Sequence, residues 1–218
     1  MLTEGIAALK EKGAQVRLSY GKEGLCPTWG GGNKTSDEGN GHARFLAQRM
    51  ANNVVEWDLD GVDIFTGGWY SSGNVGYGKN VAFHYHVIKQ LRKLLPADKT
   101  ISYTIFTPPA IFEGSVVTWF PMETIIVSSH KYLDSINIQW PQSAQDAEDF
   151  YTFLTNELDV PASKIGMLIT ENHIDSVWDI TNSIKEKGFN GVSLFSVNKE
   201  NELYGGNLLK LIAGNLYI

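Results

Sequence analysis

Apolar and polar positions alternate along the chain in two periods that trade places from end to end. Runs rich in β-branched and aliphatic residues with period two read as strands: 15–20, 61–65, 100–106, 135–140, 164–170 and 191–197. Between them lie amphipathic segments with helical spacing: 42–53, where Phe45, Leu46, Arg49 and Met50 recur at helical intervals, then 80–95, 144–158 and 176–187. A first helix around 6–12 is stopped by Gly13, and a last one is expected over 207–216. Ser143 is placed to cap the helix that follows it, and Pro96 and Pro108-Pro109 close the segments before them. The stretch 122–130 is mixed, a helix by position but β-branched in composition. The Gly-rich stretch 29–41 reads as a long loop after the first strand.

Strands that alternate with helices and are apolar on both sides predict a parallel sheet with helical crossovers. Six such strands are expected, around Val16, Val62, Ser102, Ile136, Met167 and Val192, within one domain spanning residues 1–218. At 218 residues and 43% hydrophobic the chain is long enough to bury one sizeable core.

Charge and composition then remove several functions. The formal net charge is −6 and no Lys/Arg run exceeds the pair Arg92-Lys93, so no electrostatic footprint for nucleic acid is expected. No apolar run reaches the ~20 residues of a membrane span. Met1-Leu2-Thr3-Glu4 lacks the basic start and apolar stretch of a signal peptide, which implies a cytoplasmic protein if Met1 is the true start. Cys26 is the single cysteine, so no internal disulfide forms. The five histidines show no zinc-type spacing, and His84 and His86 lie two residues apart, on different helix faces. The glycines of 29–41 lack a phosphate-loop spacing, and Ser19 lacks a G-x-S-x-G elbow. No metal and no cofactor is expected.

The informative segment is Leu59-Asp60-Gly61-Val62-Asp63-Ile64-Phe65-Thr66-Gly67. It resembles the D-G-x-D-x-D-x-E strand of glycoside hydrolase family 18, the chitinases. Around it, Ser19 and Gly21 match that family's S-x-G-G strand, Lys22 departing. The strand 135–140 falls where the family has M-x-Y-D or Q-x-Y-N, and 191–196 where it has its last strand, with Phe195 for tryptophan. The resemblance implies an α/β fold, a TIM (β/α)8-type barrel, here with about six βα units and its first two strands missing. It also implies a ligand of the N-acetylglucosamine-type glycan class. A sheet of six strands cannot close an eight-stranded barrel, so another chain, a second copy or a separate N-terminal segment, is expected over the open edge.

The departures carry chemical consequences. In the family the glutamate protonates the leaving oxygen and the substrate's N-acetyl group attacks. Here Gly67 stands in place of that acid and Phe65 in place of the last aspartate, leaving Asp60 and Asp63. Glycine has no proton to give, and a positioned general acid is worth about 10²–10⁴-fold in rate. The degenerate motif therefore implies a non-catalytic protein with a binding, storage or assembly role. The competing reading is a hydrolase with a relocated acid such as Glu171, at a strand's C-terminal end, where barrel enzymes keep their chemistry; Glu113 lies in another loop. Ser19, Asp63, Trp69, Tyr70, Gln139, Trp140 and Glu171 are the ligand-binding candidates. The aromatics either stack on sugar rings or plug the barrel mouth. Asp60 and Asp63 are either binding groups or structural acids bonded to Ser19 and backbone amides.

Overall fold

The computed structural model describes residues 2–11, 13, 15–21, 36–65, 77–106, 122–139, 143–170 and 177–195. Helix α1 spans Leu2–Glu11 and strand β1 Arg17–Tyr20; α2 (Ser36–Glu56) leads to β2 (Gly61–Phe65), α3 (Tyr77–Leu94) to β3 (Thr100–Phe106), and α4 (Met122–Ser129) to β4 (Ser135–Gln139). Helix α5 (Ala144–Thr152) precedes β5 (Ile165–Thr170), and α6 (Val177–Lys187) precedes β6 (Gly191–Phe195). The six strands form one sheet in sequence order, β1 to β6. The ladders β1–β2, β4–β5 and β5–β6 are parallel, as crossover helices require. The expected six-stranded α/β arrangement is thus present, and β2 and β3 begin and end within the expected runs.

The chain divides into two compact units, one holding β1, β2, the first half of β3 and α1 to α4, the other holding the second half of β3, β4 to β6, α5 and α6. In the first, period two on β2 and β3 sends Val62, Ile64, Ile101 and Tyr103 to the helix-covered face, all at most 1% exposed. Met50 and Val54 of α2, Val87, Ile88 and Leu91 of α3, and Ile125 and Ile126 of α4 are buried too, at helical spacing. In the second unit the buried rows are Ile136 and Ile138, Ile165, Met167 and Ile169, with Phe150 and Leu154 after α5's start and Ile180 of α6.

Helices α1 and α3 begin at Leu2 and Tyr77, upstream of the expected 6 and 80, and larger differences lie at α2 and α5. Helix α2 begins at Ser36, inside the stretch read as a loop. Once the face of Ala43, Ala47, Met50, Ala51 and Val54 is buried, each further residue upstream adds a hydrogen bond without paying for nucleation again, which carries the helix through Gly39 and Gly41. Helix α5 stops at Thr152 and continues as a wider turn over Phe153–Glu157. There the Thr155 hydroxyl donates to the carbonyls of Tyr151 (2.9 Å) and Thr152 (3.3 Å), competing for the helix ladder's acceptors. The mixed stretch is helical over Met122–Ser129, because burial of Ile125 and Ile126 outweighs the modest propensity loss of β-branched residues. Ser143 caps α5 as expected, its Oγ accepting from the Asp146 N–H at 3.1 Å. Gly13 ends α1 at φ 82° with its N–H donating to the Lys10 carbonyl at 2.8 Å. The final expected helix, 207–216, lies outside the described residues.

Candidate functional site

The sheet face turned away from the helices carries small polar side chains. In the first unit the register sets Ser19 opposite Asp63 and Arg17 opposite Gly61. Asp63 sits between two hydroxyls: Ser19 Oγ donates to its Oδ2 at 2.9 Å, and Ser102 Oγ donates to its Oδ1 at 2.6 Å. Ser102 is 1% exposed and Ser19 is open to solvent, so the carboxylate bridges from interior to surface. Just beyond, Phe65 is half-buried and its backbone runs under Gly21. A Cβ on Gly21 would lie 1.9 Å from the Phe65 carbonyl oxygen, and Gly21 has φ 150°, so no larger residue fits there without moving β1 from β2.

In the second unit the corresponding face holds Thr104, Asn137 and Gly166. Asn137 Nδ2 donates to Thr104 Oγ1 at 3.2 Å. Its Oδ1 fills the space that a Cβ on Gly166, its register partner, would enter at 2.6 Å. Gln139 is buried at 1% exposure and pairs in register with Leu168, which pairs with Ser193, an exposed position.

Asp60 belongs to a different place. It precedes β2 at the strand's N-terminal end, accepts from the Val16 N–H through Oδ2 (2.7 Å) and returns its own N–H to the Val16 carbonyl (2.8 Å). Lys10 ties in there, 2.7 Å from Asp58 Oδ2 and 3.6 Å from Asp60 Oδ1. The hydrogen bond from Lys10, together with its charge, draws the exposed Asp58 carboxyl below its usual range. The structure therefore brings Ser19 and Asp63 together, adds Ser102 to them, and leaves Asp60 at the far end of the strand. Gly67, Trp69, Tyr70, Trp140 and Glu171 lie outside the described residues. Ser102, Thr104 and Asn137 are the polar residues that the sequence reading passed over. Their signal was the alternation of Thr100–Phe106, where Ser102 and Thr104 interleave with Ile101, Tyr103 and Ile105.

His84 and His86 diverge as their spacing predicts. His84 is fully buried with Nδ1 2.9 Å from the Tyr103 hydroxyl, while His86 is half-buried. Among the described residues no group of three or more His, Cys, Asp or Glu side chains is arranged to hold a metal ion. Among them, no helix is long and apolar enough to cross a membrane.

No protein-family model matches this chain, and no curated protein does. Solved structures do match. A GH18 chitinase from Pseudoalteromonas aurantia superposes with a TM-score of 0.73 at 22% identity, over 98% of this chain and 81% of that one. The fold is that of the GH18 chitinases. A chitinase from Bacteroides thetaiotaomicron (TM-score 0.73, 12% identity, 99% of this chain and 80% of that one) is similar. So is the Group IV chitinase of Ostrinia furnacalis (TM-score 0.73, 11% identity, 99% and 84%). This GH18-type, TIM-barrel fold is what the Leu59-to-Gly67 segment led us to expect. Within it, the row Asp63, Phe65 on β2 is flanked by Ser19 of β1 and Ser102 of β3, which makes this row the candidate site.

Proposed function

We propose that this chain is a non-catalytic, chitinase-like protein that binds N-acetylglucosamine-type glycans. The observation that carries the reading is the row on β2. Its described carboxylate, Asp63, already accepts from Ser19 and Ser102 through both oxygens, and the next position along is Phe65. A carboxylate held this way serves as a fixed acceptor for a sugar's N–H or O–H, whereas a general acid needs a proton aimed at a bridging oxygen. Phe65 offers an apolar surface suited to an acetyl methyl or a ring face, and no proton. Gly67 in the acid's place supports the same reading. Trp69, Tyr70, Gln139 and Trp140 are the further ligand-binding candidates that the resemblance supplies.

The experiment incubates the full chain with N-acetylglucosamine oligomers and with particulate chitin. Retention on chitin without release of shorter oligomers is the expected result, with retention weakened about tenfold in Asp63→Ala, the scale of one charge-assisted hydrogen bond. Cleavage that disappears in Glu171→Gln would establish the competing enzyme instead. Neither retention nor cleavage would remove the glycan from the proposal and leave assembly as the role. We also propose that a further polypeptide, a second copy or a separate segment, covers the outer edge of β1. Leu18 there is half-buried although its register partner Val62 is 0% exposed.

A further inference from the structure

Charge is laid out unevenly along this chain. Between Asp63 and Asp98 there is no aspartate or glutamate, while Lys79, Lys89, Arg92 and Lys93 all fall there, in a chain of net charge −6. Most of that stretch is α3. Tyr85, Lys89 and Arg92 lie at i, i+4 and i+7, on one stripe of the helix.

Arg92 is committed to structure. Its Nε donates to the Tyr132 carbonyl and its Nη1 to the Lys99 carbonyl, both at 3.2 Å, and it pairs with Asp134. The turn His130–Tyr132 is thereby fixed beside α3, with Lys131 and Tyr132 on it. The Tyr132 ring meets the Tyr85 ring edge-on at 6.2 Å, and the His86 ring lies 5.5 Å from Tyr85. Lys89 Nζ donates to Tyr85 Oη at 3.2 Å and lies 5.2 Å from that ring's centroid; Lys131 Nζ lies 5.2 Å from the centroid of Tyr132.

The cluster is thus a chain of contacts, Lys89 on Tyr85, Tyr85 against Tyr132 and Lys131 over Tyr132, that sets two ammonium groups beside two neighbouring phenols. Asp134, the carboxylate that follows the turn, is taken up by Arg92 and by the Ile101 N–H. The surplus of positive charge is felt by its neighbours. The hydrogen bond from Lys89, then that with Tyr132, draws the Tyr85 phenol below its usual range. His86 is lowered first by burial and then by the charges of Lys89 and Arg44.

We propose that Lys89, Lys131 and the hydroxyls of Tyr85 and Tyr132 form a binding site for a tetrahedral oxyanion, a phosphate or sulfate, free or carried as a monoester on a sugar. The ammonium groups supply charge and the phenols supply directed donors, the combination that recognises such an oxyanion. The turn pinned by Arg92 lowers the ordering cost of bringing Lys131 and Tyr132 to the ligand. The site is independent of the Asp63 row, since a neutral N-acetylglucosamine oligomer has no group for it.

The test follows the tyrosine ring signals of the full chain by NMR during titration with sodium sulfate, sodium phosphate, N-acetylglucosamine 6-sulfate and unmodified N-acetylglucosamine, at ionic strength matched with sodium chloride. Saturable shifts at Tyr85 and Tyr132 with sulfate and phosphate, absent with chloride, are expected. In the Lys89→Ala/Lys131→Ala variant the affinity should fall about tenfold or more, the scale of one or two charge-assisted contacts, while Lys187→Ala, on α6 in the second unit, leaves it unchanged. Tighter binding of the sulfated sugar than of sulfate identifies a sugar ester as the ligand, and equal binding a free ion. Shifts reproduced by chloride, shifts unaltered in the double variant, or equal binding of sulfated and unmodified sugar would overturn the site.

Discussion

At the His84 ring burial is complete, and Nδ1 meets the hydroxyl of Tyr103, a residue itself 0% exposed. Charging an imidazole there removes an ion from water, so burial pulls its pKa well below the ordinary value of 6.5. The sign follows from linkage. Above about pH 6.5 both folded and unfolded chains hold the ring neutral, and it contributes nothing to the pH dependence. Below that, the unfolded chain takes a proton that the folded one refuses, and stability falls by about 1.4 kcal/mol per pH unit until the folded-state pKa is reached. Denaturant unfolding of the wild type and of His84→Gln, measured between roughly pH 5 and 8, should therefore diverge in slope only on the acid side of ~6.5. A constant gap between the two across that range would refute it. The residue scale was also where the sequence said least. The Ser19–Asp63 pair could be read from matching strand motifs, but Ser102 reaches Asp63 across 39 residues, and no local pattern announces which hydroxyl closes such a distance.

Among elements, a device recurs at the strands' N-terminal ends. The residue just before a strand clamps the start of the strand before it. Asp60 does this to Val16, and Asp134 to Ile101, whose N–H donates to Asp134 Oδ2 at 2.7 Å while the Asp134 N–H returns to the Ile101 carbonyl at 2.9 Å. Asn190 places its N–H on the Ile165 carbonyl at 2.6 Å in the same position before β6. Each clamp fixes where one strand begins relative to the next, and so fixes register, on which the Ser19–Asp63 alignment depends. Asp134→Ala leaves the buried Ile101 N–H without that acceptor, a loss of about 1–3 kcal/mol. For a chain of this size that is a drop of roughly 2–12 °C in Tm, with Asp134→Asn losing less because its amide oxygen can still accept. An unchanged melting temperature in Asp134→Ala would show that the clamp does not hold β3. Elements whose pattern was strong, such as β2 and β3, were legible because period two and burial coincide. The start of α2 was hidden by Gly39 and Gly41, whose intrinsic cost in a helix of about 1 kcal/mol each is outweighed by packing further along. The end of α5 was hidden because the hydroxyl of Thr155 competes with the ladder, an effect that hydrophobic spacing does not register.

For the molecule as a whole, the order of the six described strands was legible because each crossover repeats one simple pattern; what borders β1 was not, because an edge is defined by partners outside the pattern. The row of β1 that faces the helices shows the consequence. Leu18 and Tyr20 are half-buried, whereas Val62 and Ile64, which stand opposite them in register, are at most 1% exposed. Among the described residues β1 is paired with β2 alone, and a strand flanked on one side leaves backbone donors and acceptors for another chain to take up. Exposed apolar groups on the helices before and after β1, Leu9 at 50% and Phe45 at 66%, add surface whose burial favours association by about 25 cal/mol per Å². Sedimentation velocity of the full chain should therefore give a particle heavier than 24.2 kDa. The mass of its components would say whether the added mass is a second copy or a different chain. Leu18→Lys sets a charge into the proposed contact and should shift the particle toward the lighter form while the far-ultraviolet circular dichroism stays the same. Since the contact is apolar, raising the salt concentration should leave it intact, which separates it from association through the basic face of α3. A particle of 24.2 kDa at every concentration would mean that β1 needs no cover.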